Sequence, residues 1–250
     1  MHIRSDEELE TAIRHMGLRP ERARSDDSEI MAQIASPLLR LRFGRVSVLA
    51  GRAAGRALDL VDPAHPATSL LAASLPAGWR GDGQCWIFIP DDDGACAREQ
   101  PTRRREFFKM MVLLIDLFDA SHFFWSPARL WSDAPQFRAS IAEMLTSGMP
   151  PVLHLVAFRR HEAEGAAYVG TRGLELFAGQ ELEGRIPEGW TVGDMVKRLA
   201  RLSLDMMLNG PIREARRIRG LDAGEWVYLS PPPAGEGGRA HIRVEFGGDR

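Results

Sequence analysis

The sequence predicts an α+β protein whose helices pack on a mixed, mainly antiparallel sheet. Three observations lead there. Short β-rich runs come in neighbouring pairs, as in VLHLVAF followed by AAYVGT at 152–171. Two long segments, 107–118 and 192–209, instead carry apolar residues at helical spacing. The elements also follow one another in blocks rather than in strict strand–helix alternation, which disfavours a parallel doubly wound sheet. The order accommodates two halves that each resemble a split β-α-β unit.

Taken in order, residues 5–16 read as a short helix. Ser5 and Glu8 are spaced as a capping box, Leu9, Ile13 and Met16 share a face, and Gly17 stops it. The polar, charged stretch 19–29 reads as a linker, which makes 1–29 an N-terminal helical arm and 30–250 a single α+β domain. Val46, Val48 and Ala50 alternate as one face of a strand at 43–50. Pro63 and Pro66 lead into an Ala- and Leu-rich helix ending at Pro76. Residues 85–89 are apolar on both alternate sets and predict an internal strand. Asp91, Asp92, Asp93 and Gly94 then lie in a loop. They lack the alternating oxygen ligands and distal glutamate of a calcium loop, so a solvated turn is expected.

Thr102 can cap a helix running to about residue 120. Its Phe107, Phe108, Met110, Met111, Leu114, Ile115, Leu117 and Phe118 leave only a narrow polar stripe, so it should be buried on most sides. An aromatic strand at 122–125 precedes a helix capped at Ser132 or Asp133 and closed by Gly148, with Phe137 and Ile141 inward. Residues 152–158 predict a strand buried on both faces, paired through a polar connector with 166–171. Thr171, Arg172 and Gly173 predict a turn with positive φ at Gly173, because the chain must reverse beside bulky Leu174. Along 180–185, alternation places Glu181, Glu183 and Arg185 on one side and Leu182 on the other, with the carboxylates expected in water. Thr191 and Asp194 make a capping box for a helix ending at Asn209-Gly210-Pro211. Strands at 226–229 and 241–246, joined by SPPPAGEGG, finish the chain, with His241, Arg243 and Glu245 facing water.

Composition narrows the function classes. Apolar and charged contents of 44% and 26% are those of a soluble globular protein. A net charge of −2 gives no electrostatic case for nucleic acid or an anionic membrane. Cys85 and Cys96 are too few for a disulfide framework, and MHIRSDEELE has charge where a secretory leader needs an apolar run. A cytoplasmic protein is expected. No phosphate loop, dinucleotide fingerprint, HExxH helix, paired CxxC motif or GxSxG elbow occurs, so neither a cofactor nor a metal is called for.

His154, Glu181 and Glu183 are the candidate catalytic set. A histidine inside an apolar run must satisfy its ring nitrogens, and a nearby carboxylate would tune it for acid/base work or metal ligation. A satisfied core histidine and a solvated pair of glutamates are the competing reading. Arg103, Arg104 and Arg105 oppose the positive end of their helix, which marks either an anion-binding helix start or a basic end held in water.

The segment TRGLELFAGQELEG resembles the motif of a bacterial family known as domain of unknown function 4261, through Thr171, Gly173, Leu174, Phe177, Glu181, Leu182 and Glu183. FDASHFFW and PPVLHLVAF upstream are also similar to that family, and the likeness spans about residues 107–230. Ala178 stands where the family has glycine, with Gly179 one step later. The resemblance implies an α+β bacterial protein and no established activity. The expected function is a protein-binding module, an accessory or immunity-type factor. The alternative is a metal-assisted hydrolase using His154 with Glu181 or Glu183, and an anion sensor built on Arg103, Arg104 and Arg105 is a third reading.

Overall fold

The computed structural model describes residues 6–23, 33–71, 74–81, 85–90, 101–232 and 241–248. The expectations made for Ser5, Asp91 to Asp93, Gly94, Cys96 and the loop at 233–240 lie outside them. Among the described residues there are seven α-helices and three mostly antiparallel sheets, an α+β fold. The chain divides into two compact units, one formed by 1–124 with 131–149, the other by 125–130 with 150–250.

The first unit opens with α1 (Asp6–His15) and β1 (Arg19–Arg22). β2 (Ile34–Phe43), β3 (Val46–Ala53), α2 (Arg56–Leu60), β4 (Ser69–Leu71) and β5 (Trp86–Pro90) follow. Strands β1, β2, β3 and β5 pair antiparallel in that order. Leu39, Leu41, Val46, Val48 and Ala50 of this sheet share a core with Leu9, Ala12 and Ile13 of α1 and with α3 (Pro101–Phe118). The N-terminal helix is thus part of the core rather than a loose arm, because three of its apolar residues are buried there. Residues expected to be linker form β1 instead. Leu114, 3% exposed, sits with Met110, Met111 and Leu117 in the middle of this core.

Two further expectations are corrected in this unit. The segment expected as a helix up to Pro76 contains β4, in a small sheet with β6 (His122–Trp125) and β7 (Leu130–Asp133). Among the described strands, β5 lies at the edge of its sheet, not inside it. It is apolar on both alternate sets partly because Trp86 and Phe88 pack on Phe118, at ring distances of 4.7 and 6.0 Å. Helix α4 (Ala134–Ser147) is capped as expected: the Asp133 side chain accepts from the Gln136 amide, and Gly148 takes positive φ at its end.

The second unit carries α5 (Val152–Leu155), β8 (Ala157–Ala163), β9 (Ala166–Arg172), α6 (Glu175–Ala178), β10 (Glu181–Arg185) and α7 (Val192–Asn209). β11 (Arg216–Arg219), β12 (Glu225–Ser230) and β13 (His241–Gly248) complete it. Its six-stranded sheet runs β11-β12-β13-β10-β9-β8, antiparallel except for the parallel β10–β13 pair. Val169, Leu182, Val227, Leu229, Ile242 and Val244 are buried on one face, and α7 packs there through Met195, Leu199, Leu202 and Met206. Gly184 permits the closest approach: a Cβ there would lie 3.0 Å from the Met195 methyl. The expected capping box of α7 is present, with Thr191 and Asp194 bonding each other's backbone amides. The expected strand at 152–158 is corrected. Its first four residues make one helical turn, and the strand begins only at Ala157.

Candidate functional site

The chemistry the sequence singles out is gathered around β9, β10 and the turn between them. Gly173 has φ of +97°, as expected, and a Cβ at this position would lie 2.9 Å from both the Ala128 methyl and the Leu155 carbonyl oxygen. That reversal turns three successive peptide N–H groups inward. The Glu181 carboxylate fills the nest they form: it accepts from Gly173 N at 2.7 Å, Leu174 N at 3.3 Å and Glu175 N at 3.1 Å. The Thr171 hydroxyl donates a fourth bond at 2.7 Å while accepting from Leu182 N, also at 2.7 Å. Glu181 is only 3% exposed. The expectation of a solvated Glu181 is therefore wrong, because the 173–175 backbone closes over it. The same bonds leave it poorly placed for acid/base work, since its oxygens already serve four donors.

Glu183, two residues on, is a different kind of group. Its carboxylate lies 3.0 Å from His161 Nε2, and both side chains are about two-fifths exposed, at 41% and 42%. The His161 ring also stacks on Tyr168, with centroids 5.6 Å apart. His154 joins neither glutamate in a metal-holding cluster. It sits half-buried on α5, and no group of three or more potential ligands occurs among the described residues. The candidate set therefore forms no metal-holding group among the described residues, and the nest engages Glu181.

A polar cluster that the sequence did not reveal ties α7 to the loop before β12. Arg198, 8% exposed, donates from Nε to Glu225 Oε1 at 2.8 Å and from Nη2 to Glu225 Oε2 at 2.6 Å, and also pairs with Asp222. Its guanidinium lies 4.0 Å from the Trp190 ring centre. Hydrogen bonding from Arg198 holds the Glu225 carboxyl below the usual carboxylate range, against the opposing push of burial. No local pattern flags this pair, since its members stand 27 residues apart.

The arginine triplet does not converge on one site. Arg105 donates to the Leu145 carbonyl near the end of α4, a helix-capping role. Arg104 is half-buried, and that burial pushes its pKa down. Arg103 is half-buried beside it. The neighbouring Glu106 accepts from the Arg45 amide at 2.8 Å, so the start of α3 is fastened to the β2–β3 turn. Cys85 donates its thiol proton to the Trp79 carbonyl, and burial raises its pKa, which disfavours the nucleophilic thiolate.

What remains is the outward face of the six-stranded sheet. Strand register places Arg159, His161, Tyr168, Glu183, Arg185, Arg243, Glu245, Tyr228, Trp226, Arg217 and Arg219 on it. All of these are exposed or half-buried, whereas the opposite face is the core under α7. As expected, His241, Arg243 and Glu245 face water. Two guanidinium groups pack on Trp226, that of Arg219 at 3.8 Å and that of Arg217 at 4.1 Å from its ring centre. Glycines flatten the surface. His161 Cε1 would lie 3.8 Å from a Cβ at Gly170, and Tyr228 Cε2 would lie 3.4 Å from one at Gly247.

Comparison with known proteins adds no relative: no family model, no curated protein and no solved structure matches this chain. Among the described residues, no helix is long and apolar enough to cross a membrane.

Proposed function

We propose that this is a protein-binding module of the bacterial cytoplasm, acting as an accessory or immunity-type factor, and that the outward face of the six-stranded sheet is its binding surface. One observation carries the reading. The two buried carboxylates of the second unit, Glu181 and Glu225, are fully engaged by donors inside the fold, while the arginines and aromatic rings on the outward face are held at the surface. Arginine, tyrosine and tryptophan are the residue types that dominate binding hot spots. The resemblance of TRGLELFAGQELEG to a bacterial family supports the source, and in this reading Thr171, Gly173 and Glu181 are the motif's structural half.

The test is calorimetric titration of the full chain with proteins encoded beside its gene. A stoichiometric complex weakened about 10-fold or more by Tyr228→Ala, as expected for a hot-spot ring, supports the module. Stoichiometric zinc or manganese binding that is lost in Glu183→Gln would replace it with the metal-assisted enzyme.

A further inference from the structure

Resting on the proposed binding surface, we infer that the partner presents an extended acidic protein segment, with carboxylates at alternate positions, to Arg217 and Arg219 on β11. The charge of the face is the first argument. Register puts Arg159, Arg172, Arg185, Arg217, Arg219 and Arg243 on this face with Glu181, Glu183 and Glu245, no lysine lies among them, and the Glu181 carboxylate is buried in its nest. The whole chain carries a net charge of −2, so strand register has concentrated positive charge here against the average. Among the described residues, Arg185 and Arg243 make no ion pair, which leaves their guanidinium forks available to carboxylates.

The geometry of β11 sets the spacing. Arg217 and Arg219 stand two residues apart on one strand face, about 6–7 Å along the strand. An extended acidic segment repeats its own side chains at that same interval, so successive carboxylates can meet successive guanidinium groups. Both guanidinium groups pack on Trp226, at 4.1 and 3.8 Å from its ring centre, which anchors them on this face.

The same arrangement argues against a single-stranded nucleic acid. Such ligands bind open grooves by stacking bases on bare aromatic faces. Here the Trp226 ring lies against two guanidinium groups and Tyr168 is stacked with His161. A base would have to displace those partners first.

The experiment titrates the full chain, followed by tryptophan fluorescence, with three probes of equal charge. One is a peptide with glutamate at every second position, one is the same composition with its glutamates in a block, and one is a single-stranded oligothymidine. The alternating peptide should bind tightest, and Arg217→Glu with Arg219→Glu should weaken it about 10-fold or more, as should a rise in salt. Arg217→Gln with Arg219→Gln, with an unchanged melting midpoint, serves as the folding control and should weaken it less. Tighter binding of the oligonucleotide, equal binding of all three probes, or indifference to the charge reversal overturns the inference. The two readings fail separately. If a partner complex survives the charge reversal but not Tyr228→Ala, the binding face stands and the acidic segment falls. If it survives both, the face itself is wrong.

Discussion

Glu181 and Glu225 are both carboxylates buried in the second unit, at 3% and 8% exposure, yet they are satisfied by opposite means. Among the described residues Glu181 pairs with no cation: three peptide N–H groups and one hydroxyl, all within eleven residues of chain, accommodate it. Glu225 is held by a guanidinium from a helix 27 residues away. The first is a local clasp that fixes a loop on its own strand. The second is a long-range tie that fixes a loop on a helix. Buried charge alone therefore says little about catalysis, because both arrangements leave the carboxylate fully engaged.

The sharpest way to break this comparison is to empty the clasp. Glu181→Ala strands four buried donors at once and should cost about 3–5 kcal/mol in a urea unfolding curve, the scale for removing one member of a buried charged network. Glu181→Gln should recover only part of this, since its amide nitrogen would face donors. A loss below about 1 kcal/mol would show that water replaces the carboxylate.

Next comes the tie. Arg198→Met leaves Glu225 buried without its cation and should cost about 3 kcal/mol, whereas adding Glu225→Leu should restore most of that. The pH dependence has a definite sign. The Glu225 carboxyl titrates below its ordinary range in the folded protein, so its stabilising contribution is complete above the unfolded-state value. It is lost as pH falls through the depressed folded-state value. The stability gap between the wild-type chain and Arg198→Met should therefore narrow on acidification. A gap constant from neutral to acid pH would mean that Arg198 acts by packing on Trp190 alone.

Gly173→Ala tests the turn that builds the nest. Positive φ and the 2.9 Å approaches predict a loss of about 1–3 kcal/mol, visible as a lower melting midpoint. The smallest effect belongs to Glu183→Gln. Its pair with His161 lies at the surface, so stability should change by less than about 1 kcal/mol.

These contrasts explain what the sequence could disclose. The cap at Thr191 and Asp194 and the positive φ at Gly173 are legible because each is decided within a few residues, whereas the first strand of the β8–β9 hairpin runs through residues 159–163, which polarity alone reads as connector. The run at 152–155 was misread because a short apolar stretch fits a buried helical turn as well as a strand, and Pro151 does not distinguish them. The burial of Glu181 escaped alternation because the carboxylate is captured by backbone donors, which no side-chain pattern records. A glutamate eight residues after a glycine that needs positive φ was the available signal. The pairing of Arg198 with Glu225 had none, since it exists only once α7 lies on the sheet.

The strand order has a consequence for how the second unit is made. β13 comes last of the described strands in sequence, yet it lies between β12 and β10. Until residues 241–248 leave the ribosome, the β8–β9–β10 ribbon and the β11–β12 hairpin have no strand to join them and meet only through α7, and β10 is an exposed edge. The clasp at Glu181 needs nothing beyond Leu182, so it can set that edge early. Joining the two ribbons waits for an insertion from the far end of the chain, a non-local step of the slow kind. A stalled or prematurely stopped chain would thus present two ribbons with no strand between them and an unpaired β10 edge, the sort of surface that chaperones and proteases recognise.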